Sequence, residues 1–584
     1  MKTFVQSLVC PLLFCLSAFA ANRDALIFTH YDLTATVTPS QMEFDVRGSV
    51  TLRNDSESPQ KYAVMQISST LKWRTITINS EPVEYLAQPY TTDIDHTGAV
   101  SEITITLPKP LDPKQSVTIA LEYGGTIPAD SLRLTRIGTP TEDALRSDWD
   151  QVSPTFTGVR GLGFVTWYPV STDAASLSDG NAVFETIADW RRKQTGASMH
   201  INLCIAARES AIQVILANGA ESKSDKTPPD TTCKSYDYTL APLLVPAFVI
   251  GPLEPLERPA ETVYHVKGHG TAAQDYAAEF ERLAPLAAQW LGAPHEHAVF
   301  VELTGRAAAP YETGALMFAP LGQGNRLTTD IAASYELAQV SKRSFRPWID
   351  YGLAHFLQLL TVEQETGRAG ALKYLEQYAG PLSAADKTPT GDDVKLRSLI
   401  NTDDELFYRA KSLFVFSMLR DIVGDHALTA AITSYQSADD HDASYFQKLV
   451  ETKSKKDLEW FFDDWVYRDR GLPDFKIVSA YPRQILGGQF LTTITVENSG
   501  TAAAEVPVSI VVRGGERSAR VLVKAGEKAS ARINSTVLPT QVIVNDGSVP
   551  ESNLTNNTYD IPANSAPAPP PSPEPPPPPP PSTL

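Results

Sequence analysis

Trp348-Ile349-Asp350-Tyr351-Gly352-Leu353-Ala354 opens a helical pattern that runs to Leu360, and the pattern before it, Asp330 to Lys342, contains Tyr335-Glu336-Leu337-Ala338-Gln339. Thr328 or Thr329 is available to cap the earlier helix. Upstream, Tyr276, Phe280, Leu283, Leu286 and Trp290 recur at intervals of three and four, the spacing of one helix face. Downstream, Leu406 to Val423 repeats that spacing and is closed by Gly424. Ser444-Tyr445-Phe446-Gln447 fits a capping box, and a last helical run leads from Ser454 to Phe462. Residues 256–472 therefore read as a mainly helical domain.

The period is two on either side. Tyr31/Leu33/Ala35/Val37, Phe44/Val46/Val50/Leu52, Ile103/Ile105/Leu107 and Val117/Ile119/Leu121/Tyr123 alternate with mostly polar neighbours, which makes residues 21–255 a strand-rich domain ending near Pro252, Pro255 and Pro259. After Pro473, Phe490/Thr492/Ile494/Val496 and Val506/Val508/Ile510/Val512 alternate again, with Gly, Asn and Ser turns between short strands. Residues 473–561 read as a small immunoglobulin-like β-sandwich. From 562 to 584 the chain is Ala, Ser and Pro, ending in seven prolines from Pro575 to Pro581, a composition that packs no core and predicts an extended polyproline II tail. The fold class is multidomain α+β.

With 584 residues, 42% of them hydrophobic and 20% charged, the chain can build several full cores. Its net charge of -18 and the lack of a long basic run argue against a nucleic-acid partner. Residues 1–20 read as a signal peptide: Lys2 precedes a mostly apolar stretch from Phe4 to Phe19, and Ala18-Phe19-Ala20 offers small residues for cleavage. The stretch is short and broken by Pro11, so no membrane span is expected after its removal. An exported protein, periplasmic, extracellular or attached to the cell envelope, follows. Two cysteines leave with the signal. Cys204 and Cys233 remain in strand-like runs, either as a disulfide or as two buried thiols.

The order of strand-rich, helical and sandwich regions resembles the aminopeptidase N family of zinc peptidases of the gluzincin type. Gly163-Phe164-Val165-Thr166-Trp167-Tyr168-Pro169 resembles that family's Trp-Phe-Pro segment, and Trp348 to Ala354 its Trp-x-x-Glu-Gly-x-Ala helix start. Lys411 to Gly424 is similar to the helix behind the site, and Asp457-Leu458 through Trp465-Val466 to the helix that closes the domain. The resemblance implies a saddle-like N-terminal β domain and a thermolysin-like domain over 256–472. It also implies a zinc held by two histidines four apart and a glutamate on the next helix, with a glutamate between the histidines as general base. This chain has Tyr335 and Gln339 at the histidine positions and Tyr351 at the glutamate position, while Glu336 keeps the place of the general base. A phenol with a pKa near 10 and a neutral amide are poor zinc ligands, so the expected cofactor is none and Glu336 is vestigial, bonded to Tyr351 or to solvent.

Two further features of the family have drifted. The substrate strand finds its nearest match in Gly314-Ala315-Leu316-Met317-Phe318, with Met317 where the resemblance implies an amine-binding glutamate and Glu312 out of phase with it on one strand. Tyr408 corresponds to an oxyanion-stabilising tyrosine or is simply core, since its spacing to Lys411 is one residue long. His295-Glu296-His297 precedes an apolar strand-like run and reads as solvated, His355 follows Ala354 toward the site, and Asp439-Asp440-His441-Asp442 reads as a solvated acidic loop. The expected function is that of an exported, hydrolytically silent relative that binds peptide or protein or serves structurally in the envelope. The alternative is an active metallo-aminopeptidase that holds zinc through atypical ligands such as Glu336 and His355.

Overall fold

A computed structural model describes residues 22–206, 214–223, 227–241, 243–305, 307–322, 324–385, 398–402, 405–468 and 470–562. The expected signal peptide and all but Pro562 of the expected tail lie outside these residues. The chain is α+β, built on several sheets and ten α-helices among the described residues. It divides into two compact units, Met1–Pro252 and Leu253–Leu584. Among the described residues no helix is long and apolar enough to cross a membrane.

The first unit is organised on an eight-stranded sheet in which Leu26–Thr38 lies between Ser198–Ala206, parallel to it, and the antiparallel Glu43–Asn54. The alternation of Tyr31, Leu33, Ala35 and Val37 places all four on the buried face. A three-stranded sheet of Gln60–Ser68, Ala99–Leu111 and Tyr85–Thr91, and the helix α1 (Ala182–Lys193), add to the same core. Trp167 sits in that core, edge-on to Phe44 and Phe248, and its indole donates to the Pro246 carbonyl at 3.2 Å. The Tyr123 hydroxyl donates to the Trp167 carbonyl at 2.8 Å and the Tyr31 hydroxyl to that of Pro169 at 3.0 Å. The segment from Val165 to Pro169 is thus a buried plug whose backbone carbonyls accept the buried tyrosine hydroxyls of two neighbouring strands.

Cys204 and Cys233 form a disulfide, 29 residues apart in sequence. They are direct partners on the antiparallel strands Ser198–Ala206 and Thr231–Thr239, so the bridge ties two hydrogen-bonded strands rather than only closing the connection between them.

The second unit begins with a mixed five-stranded sheet, ordered Leu253–Glu257, Glu261–Val266, Ala298–Glu302, Leu316–Ala319 and Tyr311–Thr313. The mainly helical reading of this region missed most of it, because strands of three to six residues give too few alternations to register as period two. Leu253–Glu257 also pairs inside this sheet, so the strand-rich pattern runs a few residues past the first unit. Four helices then matter for the site. They are α2 (Gly270–Leu291), α3 (Arg326–Ser341), α4 (Pro347–Ala385) and α5 (Glu405–Val423). In α2 the expected face, Tyr276, Phe280, Leu283 and Trp290, is buried. The α3 cap is Asn325, whose side chain accepts the Thr328 N–H, one turn ahead of the threonines expected to serve. From Ala333 to Ser341 every residue of α3 is buried. Its polar side chains, including Tyr335, Glu336 and Gln339, therefore lie inside the protein. The α4 segment is two helices joined at Gly367, whose φ of 74° is in the region glycine tolerates.

Seven further strands form two antiparallel sheets. One comprises Phe475–Gln484, Phe490–Asn498 and Lys528–Ser535, the other Gly515–Val523, Ala504–Val512, Gln541–Val544 and Thr558–Asp560. One buried cluster runs from Val263 through the helices into these sheets. At the junction the Trp465 indole donates to the Ala503 carbonyl and the Asp464 carboxylate accepts the Ala503 N–H, each at 2.8 Å.

Candidate functional site on two facing helices

Residues i and i+4 share one face of a helix, which places Tyr335 and Gln339 together on α3. The Tyr335 ring is edge-on to the His355 imidazole at 5.5 Å, and its buried hydroxyl makes no hydrogen bond with the described residues. Burial, followed by the nearby Glu312 carboxylate, pushes this phenol well above the ordinary tyrosine range, although Arg409 opposes the shift. The Gln339 carbonyl oxygen accepts from Arg343 Nη1. Arg343 Nη2 also lies 3.4 Å from Asp350 Oδ2, while Asp350 Oδ1 accepts the Ser344 N–H at 2.8 Å. Burial raises the Asp350 carboxyl above its usual value despite Arg343. Burial alone would lower the Arg343 guanidinium, but Asp350 and the neighbouring tyrosines leave it raised.

Tyr351, near the start of α4, stacks on Tyr408 of α5 with centroids 5.3 Å apart and planes at 28°. The Arg409 guanidinium covers the Tyr351 ring at 4.3 Å and pairs with Glu312 at 2.8 Å. A cation over a phenol face is held by the ring quadrupole as well as by its carboxylate partner. Tyr408 is buried and joined to this stack.

Glu336 turns about 100° away from its neighbour around the helix and meets a different element. Its Oε2 accepts the Tyr276 hydroxyl at 2.6 Å, a tyrosine other than the expected Tyr351. Its other oxygen has no hydrogen bond among the described residues. Burial pushes this carboxyl up to about 8, against the opposing effect of the Tyr276 bond. Glu261 of the neighbouring sheet is buried too, with neither carboxyl oxygen hydrogen-bonded among the described residues. Burial first, and then the charge of Glu336, raises its carboxyl well above the ordinary range. Glu261 was missed in the sequence: it is buried with Val263 and His265 on one face of a six-residue strand whose other positions are half-buried, and so short a strand gives little periodic signal.

Gln358 fixes the state of His355. Its amide Nε2 donates to the Ile331 carbonyl at 3.0 Å, so its Oε1 is the atom facing the imidazole Nδ1 at 2.8 Å and the Tyr374 hydroxyl at 3.1 Å. Nδ1 therefore carries the proton. Burial, then Arg409, pushes His355 down to about 3, so the ring is neutral at physiological pH. Each member of the alternative pair thus has one polar atom engaged, Glu336 Oε2 by Tyr276 and His355 Nδ1 by Gln358, while Glu336 Oε1 and His355 Nε2 have no hydrogen bond among the described residues.

Gly314 and Ala315 are the two-residue turn of a hairpin, not part of a strand, and Gly314 takes the left-handed φ of 62° that such a turn demands. The hairpin pairs Glu312 directly with Met317. The two share a sheet face, which corrects the reading that Glu312 is out of phase: phase along one strand says nothing once the chain has turned. His295, Glu296 and His297 are exposed before their strand, with His297 Nε2 2.8 Å from the Thr262 hydroxyl. The acidic loop is not all solvated. Asp440 takes both a bidentate pair of bonds from Arg346 at 2.7 Å and the Tyr435 hydroxyl at 2.8 Å.

A zinc site draws on imidazole, thiolate or carboxylate. This helix face instead offers a phenol driven away from ionisation, an amide oxygen already bonded to a guanidinium, and a second phenol under another guanidinium. The set does not fit zinc, since none of the three side chains is an imidazole, a thiolate or a carboxylate. Among the described residues no group of three or more His, Cys, Asp or Glu is placed to hold a metal ion.

No family model matches the chain, and no curated protein matches it. Solved structures similar to it are M1 zinc metallopeptidases from Deinococcus radiodurans at 16% identity. A mutant bound to a Tyr-Ser-Ala substrate aligns over 76% of this chain and 95% of its own with a TM-score of 0.45. A second structure of that mutant aligns over 78% and 97% with a TM-score of 0.44. A third structure, of the M1 zinc metallopeptidase, aligns over 77% and 95% with a TM-score of 0.43.

Proposed function

We propose that this chain is an exported protein of aminopeptidase N type that has lost zinc and peptide hydrolysis, and that it works as a peptide- or protein-binding or structural component of the cell envelope. The observation that carries this reading is the replacement of all three ligand positions by Tyr335, Gln339 and Tyr351, with Arg343 and Arg409 seated on two of them. A zinc-bound water is what a general base of this kind acts on. Glu336 is instead a raised, buried carboxyl bonded to a tyrosine, and its protonated form is a poor proton acceptor. The Cys204–Cys233 disulfide favours an oxidising compartment and supports the reading of residues 1–20 as an export signal. The sandwich and the proline-rich tail suit a protein that contacts others.

The test is hydrolysis of amino-acid 4-nitroanilides and short peptides by the full chain, with zinc supplied, with and without chelator. The proposal expects no chelator-sensitive turnover. Turnover lost to chelator and to Glu336→Gln would overturn it.

A further inference from the structure

Resting on the reading that this helix face holds no zinc, we infer that Arg343 and Arg409 supply the positive charge at this place and bar a divalent cation even from restored ligands. Each guanidinium occupies one ligand position: Arg343 donates to the Gln339 side chain, and Arg409 lies over Tyr351. Each is also anchored by its own carboxylate, Asp350 for Arg343 and Glu312 for Arg409, on different elements of the fold. Displacing one therefore does not release the other.

The exclusion has two parts. A dication brought within about 6 Å of a guanidinium in a partly buried place, where the effective dielectric constant is about 20, is repelled by it, and although the paired carboxylate, Asp350 or Glu312, offsets most of this, the remainder weakens binding about tenfold. The second part is competition for lone pairs. An imidazole introduced by Gln339→His would offer the Arg343 N–H groups the same lone pair that a metal needs, and a carboxylate introduced by Tyr351→Glu would be paired by Arg409 before any metal arrived. Three restored ligands are thus insufficient, and the two arginines are the determinants of metal exclusion.

The experiment compares zinc affinity, by competition with a chromophoric chelator, for three full-length proteins: the natural chain, the triple variant Tyr335→His/Gln339→His/Tyr351→Glu, and the triple variant with Arg343→Gln and Arg409→Gln added. The expected result is zinc binding in the five-fold variant at least about tenfold tighter than in the triple variant. Equal binding by the triple and five-fold variants overturns the inference, and so does failure of both to bind while folded. Stoichiometric zinc in the natural chain instead defeats the underlying reading that the site was lost, which is a distinct outcome. If circular dichroism shows either variant unfolded, a thermal double-mutant cycle between Tyr351→Glu and Arg409→Gln in the natural chain replaces it. The inference requires that Arg409→Gln lower the melting temperature more in the Tyr351→Glu background than in the natural one. Additive shifts overturn it.

Discussion

Glu336→Gln should stabilise the second unit, and by an amount that depends on pH. In the natural chain this side chain is 2% exposed, has one hydrogen bond, from Tyr276 at 2.6 Å, and is pushed by burial up to about 8. The sign follows from proton binding. Between the ordinary carboxyl value of 4.5 and about 8 the unfolded chain has released the proton while the folded chain keeps it. The unfolded state therefore binds fewer protons, and stability falls as pH rises through that window and levels off above it. At pH 7 the loss is about 3 kcal/mol, taken at about 1.4 kcal/mol for each pH unit above the ordinary value. Glutamine keeps an acceptor for the Tyr276 hydroxyl and has no proton to lose. The variant should match the natural chain near pH 4.5 and melt roughly 4–5 °C higher at pH 7 in the second unit's transition. Differential scanning calorimetry of both proteins across pH 4.5 to 8.5 measures this. A variant less stable than the natural chain at pH 8, or a difference that does not change with pH, would refute the assignment of a buried, protonated carboxyl.

The same reasoning gives Glu261→Gln a stabilising effect of the same sign, read from the same calorimetric series, because Glu261 is buried beside Glu336 with no hydrogen bond among the described residues. Reduction of the Cys204–Cys233 bridge, or Cys204→Ser with Cys233→Ser, should destabilise the first unit by about 3–4 kcal/mol, since the closed loop spans 29 residues. Denaturant titration with and without reductant tests it, and coincident curves would contradict it. Trp167→Ala should cost about 3–5 kcal/mol, because the indole is fully buried and its N–H is bonded to Pro246. Tryptophan-shielded folding monitored by near-ultraviolet circular dichroism would show the loss as a lowered midpoint.

The long elements were legible. From Tyr31 to Val37 the alternation is strict enough that the buried face could be named residue by residue, although a bulge between Phe28 and His30 shifts its phase at the start of the strand, and the three-four spacing of α2 announced its core side. The short strands around Glu261 and Leu316 were not, since three to six residues hold little periodic signal. Boundaries also shifted where a cap had competitors, as at Asn325 against Thr328 and Thr329.

At the candidate site the identities of Tyr335, Gln339 and Tyr351 could be read directly, but their neighbours could not. Arg343 stands four residues beyond Gln339, just past the end of α3, and the turn there brings its guanidinium back onto the Gln339 amide. Arg409 is 58 positions from the ring it covers, and nothing in its local sequence links it to Tyr351. Glu336 kept the residue type of a general base, yet helix rotation directs it to Tyr276, 60 residues away. Contacts of this range depend on tertiary packing, which periodicity does not encode.

The site formed by Tyr335 and Gln339 of α3 and Tyr351 of α4 is held to bind no zinc. The most direct test is the zinc content of the full natural chain, purified after export without chelators and dialysed against trace zinc, measured by inductively coupled plasma mass spectrometry. The account predicts far less than one zinc per chain, unchanged by Tyr335→Phe. About one zinc per chain, lost on substitution of Glu336 or His355, would contradict it.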